Sequence, residues 1–146
     1  MGMFHYSNNI AKECNNNIVC ASLFHHILYW VEKNKHLKKM LYDEKYWVYQ
    51  SYQQLEKRFG FLTKRQIQFS LKKLEEKDLI KSTTQYRDEP SVGIFKSTKW
   101  YTITNKGYEI LGDDIHYVKD QIEGNRVKKE EKDKEERLWK NHEVLR

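Results

Sequence analysis

Apolar residues along this chain change spacing several times, and each change marks an element. In Leu62 to Ile80 (LTKRQIQFSLKKLEEKDLI), Ile67, Leu71 and Leu74 recur at i, i+4 and i+7, the spacing that turns one stripe of a helix inward. Arg65, Phe69, Lys72 and Glu76 then project from roughly the opposite face. Thr63 followed three residues later by Gln66 is a capping-box signature, and Gly60 is the expected left-handed stop of a preceding helix that runs to Phe59. That preceding helix carries the same signature in Ser51 and Gln54, with Tyr52, Leu55 and Phe59 inward at i, i+3 and i+7. Two helices joined by the Gly60 to Leu62 turn have helix-turn-helix spacing.

Upstream, Met1 to Cys14 shows no period and is expected to form an arm. Asn15, Asn16 and Asn17 offer N-caps for a helix from Ile18 to about Asn34, apolar except for a narrow polar face of Ser22, His26, Tyr29 and Lys33. Such a helix belongs at the centre of the fold. His36 to Lys45 is a basic, polar connection with no assigned element, and Tyr46 to Gln50 (YWVYQ) has the aromatic and β-branched content of a strand.

Downstream, Leu79 to Gln85 (LIKSTTQ) and Lys99 to Thr104 (KWYTIT) read as strands flanking Tyr86 to Thr98, which holds Pro90, the one proline, and Gly93. Two strands joined by this loop after a recognition helix make a wing. The order helix, strand, helix, helix, strand, strand predicts a winged helix-turn-helix in an α+β, mainly α, chain. Lys106 to Lys119 is expected to hold a short helix packing back through Tyr108, Ile110, Leu111 and Ile115.

Beyond Gly124 the chain is nearly all charge. Arg126 to Arg137 (RVKKEEKDKEER) suits a solvated helical extension, in which a pair such as Glu130 with Lys134 contributes only ~0.2–0.5 kcal/mol. Leu138, Trp139, Val144 and Leu145 supply a small apolar cluster near its end. The expected division is an N-terminal arm (1–17), a winged-helix DNA-binding domain (18–118) and a charged helical tail (119–146).

Charge sharpens this picture through its location. The 146 residues carry a formal net charge of +6, and Lys57 to Lys81 alone, with eight basic and three acidic residues, accounts for +5. The excess sits where phosphate neutralisation by a helix-turn-helix would need it. The alternative is a solvated basic face without a partner. Residues 119–146, nine basic against eight acidic, are nearly neutral.

Other chemistry is sparse. Cys14 and Cys20 lack a second pair to complete a zinc site, and the adjacent His25 and His26 point about 100° apart on a helix. No phosphate-cradling glycine loop, metal-ligand spacing or nucleophile motif is present, so neither an enzyme, a metal nor a cofactor is expected. No run reaches the ~18 apolar residues of a membrane span. The apolar stretch Ile18 to Val31, broken by Ser22, His25 and His26, lacks the flanks of a signal peptide, so a cytoplasmic location is expected.

The blocks WVEKNK (Trp30 to Lys35), KYWVYQSYQQLEKRF (Lys45 to Phe59), LTKRQIQFSLKKLEEKDLI and STKWYTIT (Ser97 to Thr104) together resemble a group of winged-helix proteins of bacteriophages, plasmids and other mobile elements. Many of these are replication initiators or replisome organisers, and others are helix-turn-helix regulators. The resemblance spans about residues 18–107. It implies a double-stranded DNA partner in a bacterial host, at the nucleoid, with the polar or basic positions Lys64, Arg65, Gln68 and Lys72 facing the major groove or its phosphates. Phe69 departs from the group, where a basic residue is commoner. An outward aromatic there would contact thymine methyls or mark a protein-binding face. The loop departs as well, with Asp88 and Glu89 at a usually basic place, while Arg87, Lys96 and Lys99 remain for phosphates.

The expected activity is sequence-specific DNA binding through a recognition helix at 64–77, in replication initiation or transcriptional control. Arg65 and Gln68 would read base edges, with Lys57, Arg58, Lys72 and Lys73 holding phosphates. The alternative is a winged-helix interaction protein that binds a host or replisome protein, using Phe69, the acidic loop and the charged tail. The tail is also the expected surface for a homodimer.

Overall fold

Ser7 caps the first helix of the computed structural model, in which residues 3–84 and 99–144 are described. Helix α1 (Asn8–Glu13) buries Ile10 and Ala11, so the segment expected as an arm contains a packed helical turn and a half. Asn15 and Asn16 then adopt left-handed φ values of 55° and 64°, a conformation that asparagine tolerates better than most residues. This reversal leads into α2 (Ile18–His36), capped by Asn17 Oδ1, which accepts from Cys20 N at 3.1 Å.

Helix α2 is central, as its composition predicts, with Leu23, Phe24, Ile27, Leu28 and Val31 buried. Its polar stripe is not a solvent face. Ser22 and His26 are buried, and Tyr29 and Lys33 are half-buried. The cover comes from residues distant in sequence: the Phe59 ring meets the His26 ring edge-on at 5.5 Å, and Asn125 Nδ2 donates to Tyr29 Oη at 3.1 Å.

The connection left unassigned between residues 36 and 45 forms a hairpin. Strands β1 (Leu41–Tyr42) and β2 (Lys45–Tyr46) pair antiparallel through Leu41 with Tyr46 and Tyr42 with Lys45. Asp43 and Glu44 at its tip have φ of 51° and 62°, the positive values that a tight two-residue hairpin turn needs. The expected strand Tyr46 to Gln50 is broken at Trp47, which separates β2 from β3 (Val48–Tyr49). Trp47 instead serves the hairpin: its backbone N donates to Met40 O and its Nε1 to Tyr42 O, each at 3.0 Å. Asn34 Nδ2 donates to Trp47 O at 2.7 Å and ties the hairpin to α2.

Helices α3 (Tyr52–Arg58) and α4 (Lys64–Glu76) follow, and both expected capping boxes are formed. Ser51 N donates to Gln54 Oε1 at 2.9 Å and Gln54 N to Ser51 Oγ at 3.1 Å; the Thr63–Gln66 pair does the same at 2.9 and 3.2 Å. The turn between the helices is closed by Leu62 N donating to Phe59 O at 2.9 Å, and Gly60 is not left-handed, contrary to expectation. A three-residue turn closed by that bond needs no positive φ there. The left-handed residue sits at the far end of α4 instead, at Asp78 with φ 57°. Asp78 N donates to Glu75 O and Leu79 N to Leu74 O, closing a Schellman motif over the buried Leu74 and Leu79.

Strands β4 (Ile80–Thr83) and β5 (Trp100–Ile103) complete an antiparallel sheet of order β3-β5-β4, registered by Val48 with Tyr101 and Ile80 with Ile103. The expected wing loop, Tyr86 to Thr98, lies outside the described residues. Thr104 then caps α5 (Asn105–Leu111), accepting from Gly107 N at 2.9 Å and donating to Asp78 O at 2.6 Å. A short 3-10 turn (Gly112–Asp114) leads into α6 (Ile115–Val144), one continuous helix that buries Val118 and Ile122 and runs through Gly124. The result is an α+β, mainly helical chain with two small antiparallel sheets. Among the described residues no helix is long and apolar enough to cross a membrane.

Candidate nucleic-acid interface

The sequence of α4 separates its two faces cleanly. Ile67, Ser70, Leu71 and Leu74 are buried, and Lys64, Arg65, Gln66, Gln68, Phe69, Lys72, Lys73 and Glu76 are exposed. Behind the helix, Cys20 Sγ lies 3.8 Å from Ser70 O, so α2 forms a stiff backing. Of the exposed polar residues, Gln66 is already used as a cap, leaving Lys64, Arg65, Gln68, Lys72 and Lys73 as cations and an amide directed at solvent, with the carboxylate of Glu76 at the end of the helix.

Electrostatics adds a second mark. No acidic residue lies in the first turn of α4, and Lys64 and Arg65 stand at the positive end of the helix dipole. Among the described residues, Lys64, Arg65, Lys72 and Lys73 have no carboxylate within ion-pair distance. Two of them lean on rings instead: Lys64 Nζ is 5.7 Å from the Tyr52 centroid and Lys73 Nζ 5.4 Å from that of Phe69. Lys64 and Arg65, unpaired cations at the helix N-terminus, are an anion-attracting arrangement, stabilised when phosphate supplies the missing charge.

The remaining expected residues are placed less uniformly. Lys57 is exposed on α3, which packs against α4. Arg58, beside it, is half-buried: its Cζ lies 4.5 Å from the Phe4 centroid, and its Nη2 donates to Met3 O at 3.4 Å. Lys99 is exposed immediately before β5, whereas Arg87 and Lys96, with Asp88 and Glu89, lie outside the described residues. Sequence reasoning missed Phe61, which is 64% exposed on the turn between α3 and α4 and meets Phe4 edge-on at 5.6 Å. Its place in the turn was the available signal.

A cavity of about 280 Å³ opens between α2, α3, α6 and the N-terminal segment, lined in part by His25, His26, Arg58, Gln121 and Asn125. His26 Nε2 lies 2.8 Å from Gln50 Oε1, and burial pulls its pKa down to about 4. Burial lowers His25 as well. Among the described residues no carboxylate lines this cavity, so His25 and His26 lack an acidic partner there. Cys14 and Cys20 are buried side by side. The hydrogen bond from Cys14 lowers the Cys20 thiol to about 7 and raises that of Cys14. No three His, Cys, Asp or Glu side chains among the described residues converge as a metal site.

Compared with protein-family models, with curated proteins and with solved structures, the chain matches none of them.

Proposed function

We propose that this chain is a winged helix-turn-helix protein that binds double-stranded DNA sequence-specifically for a phage, plasmid or other mobile element, in replication initiation or transcriptional regulation. The observation that carries this reading is the exposed face of α4, where Arg65, Lys72 and Lys73 form no ion pair among the described residues and stand with Gln68 on a helix whose other side is locked into the core. The element order from α2 to β5 and the sheet order β3-β5-β4 support it, because they suit a recognition helix followed by a two-stranded wing. In this reading α4 enters the major groove, Arg65 and Gln68 meet base edges, and Lys57, Lys64, Lys72 and Lys73 hold phosphates. Lys99 would add a flanking phosphate contact. The protein acts by occupancy, without catalysis, at the nucleoid of a bacterial host.

Salt dependence tests the reading directly. A binder neutralising ~5 phosphates gives a log–log slope of affinity against salt near −4 to −5. A flat response would favour the second reading, a winged helix that docks on a host or replisome protein. That alternative draws on the exposed Phe61 and Phe69 and on Leu138 and Trp139 far along α6. Mapping occupancy on the element's own genome separates an origin from a promoter.

A further inference from the structure

Helix α4 turns Ile67, Leu71 and Leu74 toward the core, and Phe69 and Glu76 stand opposite that stripe, Phe69 near the middle of the helix and Glu76 at its end. At 3.6 residues per turn, Arg65 and Lys73 stand about 40° to either side of Phe69 and Glu76 about 20° away. Phe69 is 57% exposed, and Lys73 Nζ lies 5.4 Å from the ring centroid. A single exposed aromatic is ordinary on a protein surface. Its position makes this one informative: midway along the helix, whatever docks on the face meets a ring between Arg65 and Lys73, with Glu76 toward the helix end.

Polar base edges would leave that ring without a partner. In the major groove each base pair presents donors and acceptors, and the apolar feature is the C5-methyl of thymine. We infer that Phe69 is a specificity-determining residue that reads the C5-methyl group of a pyrimidine, thymine in unmodified DNA. The inference rests on the proposed entry of α4 into the major groove. It adds an apolar contact at the middle of the helix to the polar reading by Arg65 and Gln68, so the bound site should contain an obligatory thymine. Lys73, held over the same ring, would place its ammonium beside the backbone flanking that base.

The test uses the full chain and duplexes recovered by selection from a random-sequence library. Thymines are replaced one at a time by deoxyuridine, which removes only the methyl, and affinity is read by fluorescence anisotropy at fixed salt. At one position the replacement should weaken binding about fourfold, the value of one buried methyl-sized group. Phe69→Ala, whose melting temperature should match the parent because the side chain is exposed, should lose a similar factor on the thymine duplex and become indifferent to deoxyuridine. At the same position, 5-methylcytosine should bind more tightly than cytosine by a comparable factor if the methyl alone is read; equal binding would restrict the source to thymine paired with adenine. Selected duplexes on which no thymine replacement matters, or on which Phe69→Ala stays as sensitive as the parent, overturn the assignment and leave DNA binding standing. Failure of the selection to enrich any duplex removes the DNA reading itself.

Discussion

Phe4 lies stacked on Phe59, with ring centroids 4.8 Å apart and planes 14° from parallel. The contact joins the N-terminal segment to the residue that ends α3 and opens the turn into α4. Arg58 covers the Phe4 ring and donates to Met3 O, so three aromatic and cationic groups close this corner together. Phe4→Ala should lower stability by about 1–2 kcal/mol through lost stacking and apolar burial, read as an earlier urea midpoint. An unchanged midpoint would mean that the corner does not hold the segment.

The same geometry splits two adjacent cations that look alike in the sequence. Arg58→Ala should cost stability, because it removes packing on Phe4. Lys57→Ala, exposed on the same helix, should leave stability within about 0.5 kcal/mol and reduce the salt slope of DNA binding by about 1. Measuring melting and salt dependence on both variants checks the assignment; equal effects on the slope would make Arg58 a phosphate ligand as well.

Helix α4 allows a matched pair of substitutions. Leu71, 3% exposed, should cost ~2–5 kcal/mol of stability on truncation to alanine. Arg65→Ala should leave melting unchanged and cost ~1–3 kcal/mol of affinity for the selected duplex, relaxing preference at one base pair. Binding of Arg65→Ala equal to the parent would take Arg65 out of the set that reads bases.

Acid should weaken the fold through His26, which is held neutral by burial with its pKa near 4 against an ordinary 6.5. Gln50 accepts from its Nε2, while Arg58 and the neighbouring His25 both disfavour a second charge. The unfolded chain takes up the proton first as pH falls. The stabilisation is therefore complete above about pH 6.5 and is lost progressively toward pH 4. At pH 5 the loss should be on the order of 2 kcal/mol. Urea midpoints at pH 7 and 5 measure it, and His26→Gln should flatten the difference; an equally steep decline in that variant would assign the acid sensitivity elsewhere.

These relationships also show which parts of the structure could be read from sequence. The two capping boxes were legible because each is complete within four residues, Ser51 to Gln54 and Thr63 to Gln66. The hairpin at Asp43 and Glu44 was not, because glutamate stands at the second positive φ, where such turns ordinarily carry glycine. The narrow polar face of Ser22 and His26 gave no sign of what covers it, since Phe59 and α6 are far away in the chain. The stop assigned to Gly60 fell instead to Asp78, where the turn after α4 required it. For the candidate site, the phase of α4 was carried by its own periodicity. The engagement of Arg58 depended on Phe4, a partner that no local pattern names.

The long helix α6 supports a final prediction. Its first turns are anchored, with Val118 and Ile122 buried and Asn125 bonded to Tyr29. Further along, Lys128 to Lys132 and Lys134 to Trp139 are exposed, and Leu138 and Trp139 show 60% and 67% of their surfaces. Gly124 in the helix interior costs about 1 kcal/mol relative to alanine, which weakens the junction between the anchored and the projecting parts. The charged stretch adds only tenths of a kcal/mol per pair, so the projecting part contributes little to the fold. A chain ending after Asn125 should fold, melt within a few degrees of the parent and keep its affinity for a single DNA site. It should lose whatever self-association the full chain shows by sedimentation, because Leu138 and Trp139 are the exposed large apolar groups among the described residues of that segment. Circular dichroism of an unfolded chain after this truncation would make the projecting helix part of the fold, and unchanged self-association would move the contact between copies elsewhere.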